Sequence, residues 1–413
     1  MGDSEPTSGL SLKELLSEEG RRDPYAFYAR LHEHGMALEL GPNDSYAVVV
    51  HGYQAVDRLL RDPNFRMLDS EYLDRSGTRW RDHAAVRTLQ DSIFFANGPD
   101  HVRVRRMFSQ AFTARRVASL ESAILRLTDQ FLDRLEEQGA GGAAVDFMSV
   151  FALPLPSDVI GEMLGVPEAD LGFFPDRVRR FGDILEIGHH TWREVTAADT
   201  AAAELTDYFS TLLEQRREEP RDDLISALVQ AQAADPGQLS DTELVANLIT
   251  MFNAGFVTTT HLLGNGIALL VERPDALAAL REDPSLAPSY VEEILRYEPP
   301  VHFGVRFAAE DSEVAGVPVP KGASVLVLMG AANRDPERFP DPDTFDPLRE
   351  DNQHLSFSAG PHYCLGAALS RLEGQLALPR LLRRFPKLAL VGEPRARNQL
   401  MLRGYDSLPV TLI

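Results

Sequence analysis

Phe357-Ser-Ala-Gly360-Pro-His362-Tyr-Cys364-Leu-Gly366 holds the only cysteine in a chain of 413 residues. With no second cysteine there is no disulfide to make, and a single thiol of this kind is most often a small buried hydrophobe. The flanks argue for more. Gly360 and Pro361 spell a tight turn just before the cysteine, and the residues from Leu365 to Leu378 follow with helical periodicity. Cys364 is therefore expected at a helix N-terminus, where the dipole and the unpaired backbone N–H groups favour thiolate over thiol. A thiolate presented on a glycine-containing loop is a ligand for soft or electron-rich metal chemistry.

The rest of the composition narrows the setting. Hydrophobic residues make up 44% of the chain, enough for a substantial core, and no Gly/Ser linker or repeat divides it. A net charge of −21 speaks against nucleic acid and anionic membrane as partners, since both need clustered Lys/Arg. Met1-Gly-Asp-Ser-Glu-Pro lacks a basic segment and an apolar run, so residues 1–20 read as a mobile tail and not a signal peptide. The longest stretch free of Asp, Glu, Lys and Arg, Leu244 to Val271, could span a bilayer by length. Asn247, Asn253, His261, Asn265 and four threonines would be costly in hydrocarbon, and a buried helix fits better.

Periodicity places a helix from Pro24 to Leu31, strands at 37–40 and 46–50 joined by a turn at Gly41 to Asp44, and a helix at 54–60. Between Asn64 and Asn97 the pattern is poor, with an apolar patch at Ile93-Phe94-Phe95. Gly98-Pro99-Asp100 then starts a helix with Asp100 as N-cap, which puts His101 and Arg105 on one face. Residues 120–235 are mostly helical, interrupted at 182–196 around His189, His190 and Trp192. Adjacent histidines do not converge on a helix, and no third metal ligand is evident. Ser240-Asp-Thr-Glu243 is a capping box for a helix about 50 Å long. Inside it, Ala254-Gly255-Phe256-Val257-Thr258-Thr259-Thr260 combines small residues with threonines that can bond back to the i−4 carbonyl. Glu293 and Arg296 can pair on a short helix stopped by Pro299-Pro300. Segments at 313–322 and 324–328 read as strand, turn and strand.

The pattern Phe-x-x-Gly-x-His-x-Cys-x-Gly at 357–366 resembles the haem-binding loop of the cytochrome P450 family, complete at all five named types. Five motifs in family order, from about Pro24 to Ile413, carry the likeness. The resemblance implies a mainly α fold with a small β-rich lobe, and one catalytic domain over 21–413 with haem between the long helix and the cysteine loop. The cofactor would be heme b, with the Cys364 thiolate as axial ligand and Phe357 and Gly366 shaping its loop. His101, Arg105, Arg306 and His362 would hold haem propionates. Ala254 and Gly255 would leave room for dioxygen beside Thr258 and Thr259. The motif's acid position is Val257, which cannot relay a proton; ordered water or a polar substrate group would have to compensate.

Further implications concern the surroundings. Ile93, Phe94, Val301, His302, Phe303, Met401 and Leu402 would line the substrate pocket, although a satisfied structural histidine is an equal reading of His302. Glu293, Arg296 and Arg349 would form an internal ion-pair network. Arg103, Arg106 and Arg371 are candidates for docking an acidic electron donor, with a solvated face as the default. The implied protein is a cytoplasmic, monomeric monooxygenase. It would take electrons from a separate ferredoxin or flavodoxin and oxidise a small organic substrate such as a polyketide. Val257 keeps open a peroxide-using or oxidative-coupling enzyme, and a haem-thiolate sensor is the reading from another class.

Overall fold

A computed structural model describes residues 10–41, 45–188, 190–235 and 237–412; the first nine residues, most of the 41–44 turn and His189 lie outside the described residues. The chain forms two compact units. The first is built from Met1–Ser76, Ser289–Cys364 and Ala396–Gly404, the second from Gly77–Pro288, Leu365–Arg395 and Tyr405–Ile413.

The first unit is organised by a five-stranded sheet. Its order is Ala37–Glu39, Val48–Val50, Ser324–Val327, Gly304–Ala308 and Phe65–Arg66. All neighbours are antiparallel except Val48–Val50 and Ser324–Val327, which run parallel with Val49 opposite Leu326. Val48, Val49 and Val50 are all buried, as a strand covered on both faces requires, and this is why three β-branched residues follow one another without alternation. The 313–322 segment is a separate hairpin of Ser312–Val314 and Val317–Val319. The tail expected over 1–20 is corrected from Leu10 onward. Ser11 and Ser17 cap short helices at Leu12–Leu15 and Glu18–Arg22, Leu12 and Leu15 are buried, and Glu14 pairs with Arg30 at 2.6 Å.

The second unit is a helical assembly around Asp241–Val271. The capping box is present: Glu243 N–H donates to Ser240 Oγ at 3.2 Å, and Ser240 N–H donates to Glu243 Oε2 at 2.8 Å. Helices Pro154–Leu164, Trp192–Glu218 and Ala367–Arg384 pack on it. The long helix passes a length-and-composition test for a membrane span, yet 78% of that window is buried inside protein. Three local expectations change. Trp192 is the first residue of a 27-residue helix that Thr191 and Glu194 cap reciprocally, so the interruption ends earlier than the sequence pattern shows. Helix Ala84–Gln90 sits in the weakly periodic region. Helix Gly98–Ala111 takes Asn97 as N-cap, which leaves Asp100 in its first turn instead of at the cap.

Candidate active site

In the first unit, the cysteine loop is shaped by backbone geometry. A 3-10 turn spans Gly360–His362, and the Cys364 N–H donates to the Phe357 carbonyl at 2.9 Å, closing the loop onto itself. Gly360 has φ +65°, and a Cβ there would lie 2.5 Å from the Leu60 carbonyl oxygen, so only glycine lets the loop approach the helix Tyr53–Arg61. Phe357 is buried and its ring contacts His354 and Tyr363, while His362 and Gly366 are half-buried. Cys364 is exposed. The helix begins at Ala367 with Gly366 as N-cap, so the thiol precedes the helical N–H groups by more than the sequence pattern shows.

Arg306 lies on strand Gly304–Ala308, 5% exposed, and donates to the Val305 carbonyl at 2.9 Å. Burial lowers its guanidinium to about 10, which marks a cation short of compensating charge. Val301 and Leu402 form an isolated antiparallel bridge, and the Met401 carbonyl accepts from His302 N–H at 3.2 Å; four candidate pocket residues are thus neighbours. Phe303 is buried at 2% exposure. His302 is fully buried, bonded through Nδ1 to the Tyr28 hydroxyl at 3.1 Å and packed on the Tyr25 ring. Of its two readings, these contacts fit the structural histidine at Nδ1, while its Nε2 has no hydrogen-bond partner among the described residues. Burial first, then Arg403 and Arg334, hold it well below the usual histidine range, and its ring is neutral.

Glu293 and Arg296 are both fully buried and pair in a bidentate fork at 2.7 and 2.8 Å. The Glu293 carboxylate also accepts from Asp346 N–H at 2.8 Å and Asn352 Nδ2 at 3.0 Å, with Arg349 Nε at 3.7 Å. Arg296 donates further to the carbonyls of Asn333, Pro342 and Thr344. The three residues named from sequence therefore converge, and their bonds pin the 333–352 segment.

In the second unit, His101 is 4% exposed, and burial followed by the nearby Arg105 cation lowers its pKa. Arg105 is then the charged member of the pair, and His101 a neutral one. Arg103 is engaged by Glu243 and by the Gln238 carbonyl, and Arg106 bonds Gln238 Oε1 at 3.1 Å. The docking role expected for Arg103 meets an intramolecular anchor to the start of the long helix. Ile93 N–H donates to Asn247 Oδ1 at 2.9 Å, which ties the half-buried Ile93-Phe94 segment to that helix. Asn247, Ala254 and Thr258 lie seven and four residues apart, on one helical face.

Along that face Ala254 is exposed and Met251, Gly255 and Thr258 are half-buried, an open stripe in a helix whose other residues from Leu244 to Leu270 are buried. Thr258 Oγ1 donates to the Ala254 carbonyl at 2.6 Å, the back-bond that loosens a helix locally. Gly255 also serves packing, because a Cβ there would sit 3.1 Å from Ile160 Cδ1. Val257 is turned inward, 5% exposed. Sequence reasoning missed one contact: Thr259 Oγ1 bonds Ser370 Oγ at 3.2 Å, which joins the motif to helix Ala367–Arg384. Two residues 111 apart give no local signal of such a bond.

Three comparisons bear on this arrangement. The family model described as cytochrome P450 matches residues 8–166 and 173–400. A 6-deoxyerythronolide B hydroxylase of Saccharopolyspora erythraea is 43% identical, the alignment covering 97% of this chain and 99% of that protein. The cytochrome P450 monooxygenase PikC of Streptomyces venezuelae is 36% identical over 96% and 92% of the two chains. The solved structure of the Bacillus subtilis bacillaene polyketide synthase cytochrome P450 PksS superposes with a TM-score of 0.85 at 32% identity, covering 96% of this chain and 98% of that one.

Proposed function

Because the chain belongs to the cytochrome P450 family and is an oxidoreductase of the monooxygenase kind, we propose that Cys364 is the axial thiolate of heme b and that the substrate is a polyketide-type secondary metabolite. The observation that carries the ligand assignment is the cysteine loop, locked by Gly360 and by the Cys364–Phe357 backbone bond, with Cys364 exposed. The residues fit the group. Arg306, in the first unit, is a buried cation with no anionic partner to offset its burial, and a propionate carboxylate would supply one; His362 in that unit, and Arg105 beside His101 in the second, are the other groups that would serve the carboxylates. When bound, the haem supplies the one-electron and dioxygen chemistry, tuned by thiolate ligation.

The chain's own residues do the rest. The open stripe of Ala254, Gly255 and Thr258 gives a small-residue wall with one hydroxyl. Val301, Phe303, Met401 and Leu402 in the first unit, and Ile93 and Phe94 in the second, each offer apolar surface suited to an organic substrate. Electrons come from a separate ferredoxin or flavodoxin type protein, and the enzyme works in the cytoplasm as one catalytic domain over 21–413. Substrate choice rests on the relatives, among them a 6-deoxyerythronolide B hydroxylase and the cytochrome P450 of a bacillaene polyketide synthase. The test is the reduced, carbon-monoxide-treated protein with Cys364→Ser beside it. Thiolate-type absorption in the wild type that vanishes in the variant is the expected result, and haem bound with histidine-like absorption in the native wild type overturns the assignment.

A further inference from the structure

We infer that Tyr28, on the N-terminal helix Tyr25–His32, is a positioning residue for the substrate pocket: through its bond to His302 it fixes the 301–303 wall and so sets which organic molecules fit there and how they lie. The inference deepens the reading above, in which Val301, Phe303, Met401 and Leu402 meet the substrate. All the residues concerned belong to the first unit.

The wall has little regular structure to hold it. Residues 301–303 precede strand Gly304–Ala308 and lie outside its ladder, and the pairing of Val301 with Leu402 is a single isolated bridge. What fixes the segment is His302. Its N–H donates to the Met401 carbonyl at 3.2 Å, its carbonyl accepts from Gly330 N–H at 2.9 Å, and Nδ1 bonds the Tyr28 hydroxyl at 3.1 Å. The ring lies so close to helix Met329–Ala332 that a Cβ on Gly330 would stand 2.5 Å from Nδ1. Val301 and Phe303 are its chain neighbours, so a shift of the ring that carries its backbone along moves both.

Packing does not explain the Tyr28 hydroxyl. Tyr28 and His302 are both fully buried, a phenylalanine would fill the space at 28, and a buried hydroxyl is costly unless it is bonded. The need is mutual. Nε2 of His302 has no partner among the described residues, and loss of the Tyr28 hydroxyl would strip the bond from Nδ1 as well. A buried imidazole with neither nitrogen bonded gains by turning or by drawing its segment toward a new partner.

The same helix also holds the wall's flanks. Tyr25, three residues before Tyr28 and on the same helical face, donates to Glu298 Oε2 at 2.9 Å. Arg403 holds Glu298 Oε1 at 3.0 Å, and its backbone N–H donates to the Pro300 carbonyl at 2.8 Å. Pro300 and Arg403 adjoin Val301 and Leu402. The N-terminal helix is thus hydrogen-bonded to both sides of the Val301–Leu402 bridge without supplying a pocket residue itself.

The experiment uses holoprotein and two ligands of haem iron, imidazole and 4-phenylimidazole. The first reads the iron alone, and the second adds a ring that must fit against the pocket wall. In Tyr28→Phe the Kd of 4-phenylimidazole, read from the spectral shift, should change by about threefold or more while that of imidazole stays at the wild-type value. Hydrogen exchange at the His302 and Gly330 amides should speed up about tenfold, with the 48–50 and 324–327 amides unchanged. Phe27→Leu removes buried volume from the same helix but leaves the Tyr28 hydroxyl, and both readouts should stay at wild type. Either readout unchanged in Tyr28→Phe, or moved equally by Phe27→Leu, overturns the inference. Should Tyr28→Phe fail to retain haem, Gly330→Ala, which presses on the His302 ring and leaves Tyr28 intact, decides by the same two readouts. A wild type whose spectrum imidazole does not shift refutes the haem reading and the inference with it, whereas a normal imidazole response with unmoved variants refutes the positioning role alone.

Discussion

Glu293→Gln tests the reasoning about the buried ion pair, because it removes one charge and almost no volume. In the wild type the carboxylate accepts two bonds from Arg296, one from Asp346 N–H and one from Asn352. A glutamine amide presents N–H where one of these donors points, and it leaves the fully buried Arg296 guanidinium with three carbonyls and no anion. Breaking one side of a buried pair in this way costs about 3–5 kcal/mol. At about 2.1 cal/mol/K per residue, 413 residues give an unfolding entropy of roughly 0.9 kcal/mol/K, so cooperative unfolding should move down by about 3–6 °C. Scanning calorimetry at matched haem content measures it. The control is Glu18→Gln, which breaks an i, i+4 pair with both side chains largely in solvent and should leave the midpoint in place. Equal midpoints for the two variants would refute the claim that the buried network holds the 333–352 segment.

Two further outcomes follow from geometry already described. Gly360→Ala forces a left-handed φ on a residue with a side chain and drives its Cβ against the Leu60 carbonyl. It should cost at least about 1–3 kcal/mol and reduce haem retention on a desalting column, whereas Gly316→Ala, at φ +84° with nothing within 4 Å, should keep its haem; equal retention would refute the account of the loop. His51 is fully buried, with neither ring nitrogen bonded among the described residues, and burial, aided by His32 and His34, pushes its pKa down to about 3. Its folded pKa lies below the unfolded value of about 6.5, so the unfolded chain binds more protons between the two. The stability it contributes is present above that unfolded value and is lost as pH falls toward about 3, by up to about 1.4 kcal/mol per pH unit. In His51→Leu, denaturant melts between pH 6 and pH 4 should show a shallower decline than wild type, and parallel slopes would refute this.

The sequence shows most clearly what local rules govern. The capping box at Ser240, the i, i+3 pair of Glu293 and Arg296, and the glycine turn before Cys364 are spaced within a few residues, and each takes the geometry its spacing implies. The errors fall where longer-range packing decides. Trp192 is a local exception: Thr191-Trp-Arg-Glu194 spells the same capping box as Ser240 to Glu243, and the paired histidines just before it draw the reading to a loop instead. His302 offers two readings until Tyr25 and Tyr28, more than 270 residues earlier, are seen against it. Arg103 reads as a surface cation because Glu243 is 140 positions away.

The first unit is drawn from three stretches of chain, and this constrains how the protein is made. Strand Val48–Val50 emerges from the ribosome early, yet its parallel neighbour Ser324–Val327 is some 275 residues later. At roughly 5–20 residues per second the nascent hairpin waits on the order of tens of seconds with one edge unpaired. During that interval the edge is open to mispairing and to chaperone capture. Cys364 and Arg306 both belong to this late-closing unit, so the residues proposed to grip the cofactor come together only as translation nears its end.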